Sequence, residues 1–145
     1  MKKLSLFLFI LVVLATFTTW GFAAQENYVV VVHPSNPEAT MSKGQISNLL
    51  LKKSSRWDSD LTAEPIDLDA RSPIREAVSR DIHGRSVNSI KSYWQRQIFS
   101  GRSVPPPEAQ SEAEVIAWVR SHPGGIGYVS SSASLDGVKT LSVTE

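Results

Sequence analysis

"DLDARSPIREAV", residues 67–78, changes its periodicity halfway along. The residues leading into it, "PIDLD" (65–69), alternate apolar and polar side chains and predict a short strand. From Ser72 onward the pattern is helical: Ser72 suits an N-cap, Pro73 the first helical position, and Glu76 falls within the first turn and a half. That helix is expected to stop near Gly84. A strand that passes through the loop Asp69–Ser72 into a helix is the corner unit of an α/β domain.

Outward from this corner the chain repeats the theme. "YVVVVH" (28–33) is too continuously apolar for a half-exposed strand and predicts a central strand covered on both faces. Ser42, with Gln45 three residues on, predicts a capping box, and Ile46, Leu49 and Leu50 extend a helix over about 43–51. "KKSSRWDSD" (52–60) reads as a polar loop with one tryptophan. A further helix is expected from Ser86 to just before Gly101, carried by Val87, Ile90, Trp94 and Ile98. Three prolines in "RSVPPPEAQ" (102–110) argue against regular structure there. Ser111 and Glu114 predict a second capping box for the helix "EAEVIAWVRS" (112–121), which "HPGG" ends. "IGYVS" (126–130) and "VKTLSV" (138–143) predict two closing strands around "SSASLDG". The expected fold class is therefore α/β, a three-layer sandwich with a mainly parallel sheet. There is no internal repeat.

The opening "MKKLSLFLFILVVLATFTTWGFAA" has the layout of an export signal: basic Lys2 and Lys3, the apolar run Leu4–Leu14, and small residues at Gly21, Ala23 and Ala24. Residues 1–24 are read as a signal peptide cleaved after Ala23 or Ala24, and residues 25–145 as a single domain. An uncleaved anchor is the alternative. Without Lys2 and Lys3, 13 Lys and Arg face 14 Asp and Glu, which turns the formal charge from +1 to −1. On that average no sustained basic face remains for nucleic acid or an anionic membrane. His33, His83 and His122 are scattered and there is no cysteine, so neither a zinc spacing nor a disulfide framework is present, and no cofactor or metal is expected. Export without cysteine suits a bacterial periplasm.

The loop Asp69-Ala70-Arg71-Ser72 is expected at the carboxyl end of a strand, where α/β domains commonly bind ligands. The helix that follows begins with unpartnered N–H groups and a partial positive charge, the outline of an anion seat. Arg71 and Arg75 are candidates for forked, charge-assisted bonds to an oxyanion. The alternative is an ordinary Ser-Pro helix start with solvated arginines.

Two stretches strengthen the anion reading. "ISNLLLKKSSRW" resembles the "I-F-x-G-K-x-x-x-W" segment of periplasmic phosphate-binding proteins of ABC importers, and "SEAEVIAWVRSHPGGIGYVS" resembles their "EV...V...PGAIGYV" segment. With "VHPSNP" similar to the "VNPSN" that opens short one-lobe members, the resemblance covers nearly all of residues 25–145. It implies one lobe of a type II periplasmic binding protein, binding phosphate or a similar inorganic anion, with an ABC permease as a partner. A single lobe further implies a second lobe or a homodimer to enclose the ligand. The family's phosphate loop, "R-S-D-G-S-G-T", is only partly retained. In one register Ser72 matches its second serine, while Leu68, Ala70, Arg71, Pro73 and Ile74 replace its arginine, aspartate, two glycines and threonine; in the other Arg71-Ser72 matches the leading Arg-Ser and the following residues fail. Pro73 also removes a backbone donor.

The expected ligand-binding residues are Ser72, Arg71 and Arg75, with Asp69 orienting an arginine, and Ser35 and Asn36 reaching from the end of the first strand alongside His33. Trp57 is read as packing and Trp94 and Trp118 as core. Gly124, Gly125 and Gly127 look backbone-driven, either a helix C-cap followed by close entry into a strand or, the favoured reading, a tight turn. Glu64, Asp67 and Asp69 form the densest carboxylates, but no nucleophile–base pair accompanies them, and enzyme activity is not expected. The function expected is noncovalent binding of a small oxyanion, phosphate first. An envelope protein-interaction or structural module is the alternative.

Overall fold

The computed structural model describes residues 27–145; the expected leader, residues 1–24, lies outside them. The strands are β1 (Tyr28–Val32), β2 (Thr40–Ser42), β3 (Glu64–Pro65), β4 (Asp67–Leu68), β5 (Glu108–Ala109), β6 (Gly125–Ser130) and β7 (Lys139–Thr144). The helices are α1 (Lys43–Leu50), α2 (Pro73–Asp81), α3 (Val87–Phe99) and α4 (Glu112–Ser121). Among these residues no helix is long and apolar enough to cross a membrane.

β1 is central in a sheet ordered β2–β7–β1–β6–β3. Its valines Val30, Val31 and Val32 are fully buried, as the unbroken apolar run requires. The expectation of a mainly parallel sheet holds for β2 with β7, β3 with β6 and the separate pair β4–β5. It fails at the centre, where β1 runs antiparallel to both β6 and β7. The sheet is therefore mixed. Continuous hydrophobicity reports burial on both faces but carries no strand direction.

Helices cover both faces. α4 lies against the face of β6 that bears Gly125 and Gly127: a Cβ on Gly127 would sit 2.7 Å from Val115 Cγ1, and one on Gly125 would sit 3.0 Å from the Val119 Cα. These glycines let helix and strand approach closely, so close entry into the strand, rather than the favoured tight turn, accounts for them. Side chains alternate along a strand, so Tyr128 points to the opposite face, where its hydroxyl donates to Asp67 beside Arg75 of α2.

The local signals account for most helix ends. Ser42 and Gln45 form the reciprocal capping box. Ser111 caps α4 through the Glu114 N–H, but the Glu114 carboxylate takes the Gln110 N–H at 2.7 Å, so the second box is not reciprocal. α2 stops at Asp81, and Gly84 makes the reversal with φ of 62°. "RSVPPPEAQ" does contain structure: the Pro107 carbonyl accepts from Asp67 N–H at 3.0 Å and Asp69 N–H donates to Ala109 at 2.9 Å, so β5 begins once the prolines end. Trp57 and Trp94 are buried, whereas Trp118 is half-buried, stacked on His122 with ring centroids 3.8 Å apart.

His83 packs against α1, with its Nδ1 2.7 Å from the Ser47 hydroxyl. Burial, with Arg75, Lys53 and Arg85 adding repulsion, pushes its pKa down to about 4. The folded value lies below the unfolded one, so the unfolded chain binds more protons between the two. Stability is therefore complete above about pH 6.5 and declines as pH falls toward 4, by up to about 3 kcal/mol. Urea unfolding at stepped pH is expected to show this decline, and His83→Gln is expected to flatten it within that window.

Candidate functional site

The loop Asp69–Ser72 forms where the sequence places it. Asp69 closes a turn by accepting the Ser72 N–H on its carbonyl at 2.9 Å and the Arg71 N–H on its carboxylate at 2.9 Å. Ser72 is the N-cap of α2, its Oγ accepting from Arg75 N–H at 3.4 Å, and its carbonyl accepts from Glu76 N–H at 3.1 Å. Pro73 has no N–H to give. Among the described residues this leaves Ile74 as the first-turn amide of α2 without an intramolecular acceptor.

The two arginines occupy different environments. Arg71 projects into solvent with its side chain 87 % exposed, and its Nε reaches Asp69 at 3.0 Å. These bonds hold the Asp69 carboxyl down at about 2. A pair this exposed contributes little to stability. Arg75 points the other way. Its side chain is 8 % exposed, bonded to Asp67 at 3.0 Å and Glu108 at 2.9 Å, and it also donates to the Leu68 carbonyl. The sequence reading treats Arg75 as an open charge for a ligand, but its guanidinium is occupied from beneath the loop. Burial pushes the Asp67 carboxyl up, against the opposing pull of Arg75 and the Tyr128 hydroxyl. Asp67 is thus held in a network with Arg75 and Tyr128.

Ser35 and Asn36 lie at the opposite end of the sheet. Val32 at the end of β1 pairs with Ile126 near the start of β6, whereas β3, which leads into β4, runs parallel to β6. The β1–β2 loop and the Asp69–Ser72 loop are therefore separated by roughly 16 Å, the length of β6 at about 3.3 Å per residue. The sequence grouping of these residues presumed a parallel sheet, in which all strand ends share one edge. Asn36 is buried, its side-chain oxygen accepts from Glu38 N–H at 2.9 Å, and its carbonyl accepts from Lys139 at 2.5 Å. Its Nδ2 has no partner among the described residues. Ser35 stays exposed, 2.7 Å from His33 Nδ1.

Beside Ala70 the surface opens into a groove of about 500 Å³, walled by Val87, Trp94 and Ile98 of α3 and by Pro105 and Pro106. Arg75 and Glu108 meet its floor, and Lys91 contributes the remaining cation. Lys91 and Glu108 are absent from the sequence reading. The signal for Lys91 is its place among Val87, Trp94 and Ile98 at helical spacing; Glu108 follows a proline run that gives no cue to pairing.

The fold is similar to one half of several solved structures. A phosphate ABC transporter substrate-binding protein with bound phosphate from Clostridium perfringens is 18 % identical, with a TM-score of 0.66 over 81 % of this chain and 45 % of that one. An ABC-type phosphate transport receptor from Vibrio cholerae is 15 % identical, with a TM-score of 0.64 over 81 % of this chain and 46 % of that one. PstS from Borrelia burgdorferi is 18 % identical, with a TM-score of 0.58 over 83 % of this chain and 48 % of that one. The chain has the fold of a single lobe of such periplasmic binding proteins and spans just under half their length. No protein-family model and no curated protein matches it.

Proposed function

We propose that the chain is an exported periplasmic binding module that takes up a small oxyanion, phosphate first, at the start of α2, in phosphate ABC transport or sensing. The observation that carries this reading is the free Ile74 amide and the solvent-facing Arg71 beside Ser72, in a fold shared with phosphate receptors. Ser72 and the Ile74 N–H bind the anion, Arg71 exchanges Asp69 for it, and Asp69 holds the arginine ready in its absence. Arg75 positions the loop from below. Chemistry is not required of the site: the bound anion leaves unchanged, and the permease and a second lobe or copy are the partners of this reading. One open lobe leaves phosphate partly hydrated, so binding is weak.

A second reading, an envelope protein-interaction module, is favoured by one observation: both arginines already have carboxylate partners. Isothermal titration with phosphate and then sulfate at low ionic strength separates the two. Saturable phosphate heat that falls at least about tenfold in affinity in Arg71→Ala, with an unchanged thermal transition, is the expected result. Absence of heat at millimolar anion would leave the interaction module.

A further inference from the structure

We propose that the tip made by the end of α3 and the turn after it docks on an anionic lipid surface. Phe99 is 92 % exposed, Val104 60 % and Ile98 51 %, and all three fall within residues 98–104. Exposed apolar residues are normally scattered singly, so such a cluster marks a contact surface.

The tip also carries cations: Arg96 and Arg102 belong to its own segment, and between Asp81 and Glu108 the chain has no Asp or Glu to neutralise them. Lys52 joins the tip from the end of α1 by donating to the Val104 carbonyl at 3.2 Å. Arg102 lines a hollow of about 300 Å³ together with Ile98 and Val104. Among the described residues, Lys52, Arg96 and Arg102 form no ion pair, whereas Lys43, Arg56, Arg71, Arg75 and Arg80 all do.

The chemistry fits a bilayer better than a protein partner. A protein would need a socket shaped to Phe99, which stands free beside a turn reversed at Gly101, with φ of 67°. A bilayer interface makes no such demand: apolar side chains enter the acyl boundary while Arg and Lys reach the headgroups. Neither three apolar residues nor three cations suffice separately, and the combination selects anionic lipid. This inference stands independently of the anion seat.

The chain has no cysteine, so Ser103→Cys carries a single environment-sensitive dye at the tip. Mixed with phosphatidylglycerol vesicles, the labelled mature chain, from Gln25 onward, is expected to shift to the blue and co-sediment, with neither effect on phosphatidylcholine vesicles. Phe99→Ser and, separately, Arg96→Glu with Arg102→Glu are expected to weaken the shift at least about tenfold, with an unchanged thermal transition. The proposal is overturned by equal shifts on both lipids or by undiminished shifts in both variants. A shift that grows with protein concentration without vesicles would also overturn it and assign the tip to a second copy.

Discussion

Arg75→Ala is expected to destabilise the domain by about 3–5 kcal/mol, the usual consequence of stranding a buried charge. Arg75 is the shared partner of Asp67, Glu108 and the Leu68 carbonyl, and it joins the start of α2 to the β4–β5 pair. Its removal leaves Asp67 in a site where burial already disfavours the charged form. Asp67 is expected to protonate in the variant, so the loss should shrink as the pH is lowered. Thermal unfolding checks this directly, as a fall in midpoint of more than about 10 °C for a domain of this size. Adding Asp67→Asn is expected to recover part of the stability, because the stranded charge is then gone. A midpoint within a degree of the parent would show that the network contributes nothing. Ligand tests on this loop are therefore cleaner at Arg71, which stands in solvent, than at Arg75, whose loss perturbs the fold.

Trp57→Ala is expected to cost roughly 3–5 kcal/mol, the range for deleting a large buried aromatic. Trp57 is 3 % exposed and its Nε1 donates to the Gly124 carbonyl at 3.0 Å. It thereby ties the loop after α1 to the turn that feeds β6. Trp57→Phe isolates the hydrogen bond from the packing. The Gly124 carbonyl still accepts from Glu64 N–H at 2.9 Å, so it is not orphaned, and the loss should be only about 1 kcal/mol. Urea unfolding of the pair tests the distinction. Equal losses would mean that the indole N–H, not the ring, matters most.

What could be read from the residues follows what each signal physically encodes. Ser42 with Gln45, Ser72 with Pro73, and Ser86 mark helix starts because capping is a local hydrogen-bond event, and all three stand as N-caps. The Gly124–Gly127 stretch was legible as backbone-driven, because a close approach excludes a side chain. Strand direction was not legible: the valines of β1 say that both faces are covered, not which way the neighbours run. That single unknown displaced Ser35 and Asn36 to the far edge of the sheet. Nor does one sequence tell a solvated arginine from a buried one. Arg71 and Arg75 lie four residues apart at one helix start, yet opposite environments follow from the carboxylates that β4 and β5 bring beneath Arg75. β4 falls within the strand expected over 65–69, but its partner β5 leaves no signal, because Pro107 joins the ladder through its carbonyl, the half that proline retains.

The occupied Arg75 reshapes the site relative to its first outline. The cation nearest the α2 N-terminus with freedom to move is Arg71, and Lys91 faces the adjoining groove. Pro73 limits the backbone donors, so the site relies on side chains more than a glycine-rich loop would. The proposed seat, being exposed, is expected to bind with modest affinity and with sensitivity to ionic strength.

The central claim is tested most directly by backbone amide NMR of the chain during phosphate titration at low ionic strength. Saturable shifts confined to Ala70–Glu76, largest at Ile74, are expected, and their loss in Ser72→Ala with Arg71→Ala. Amides that do not move at millimolar phosphate, or shifts centred on the Ser35–Asn36 loop instead, would contradict it.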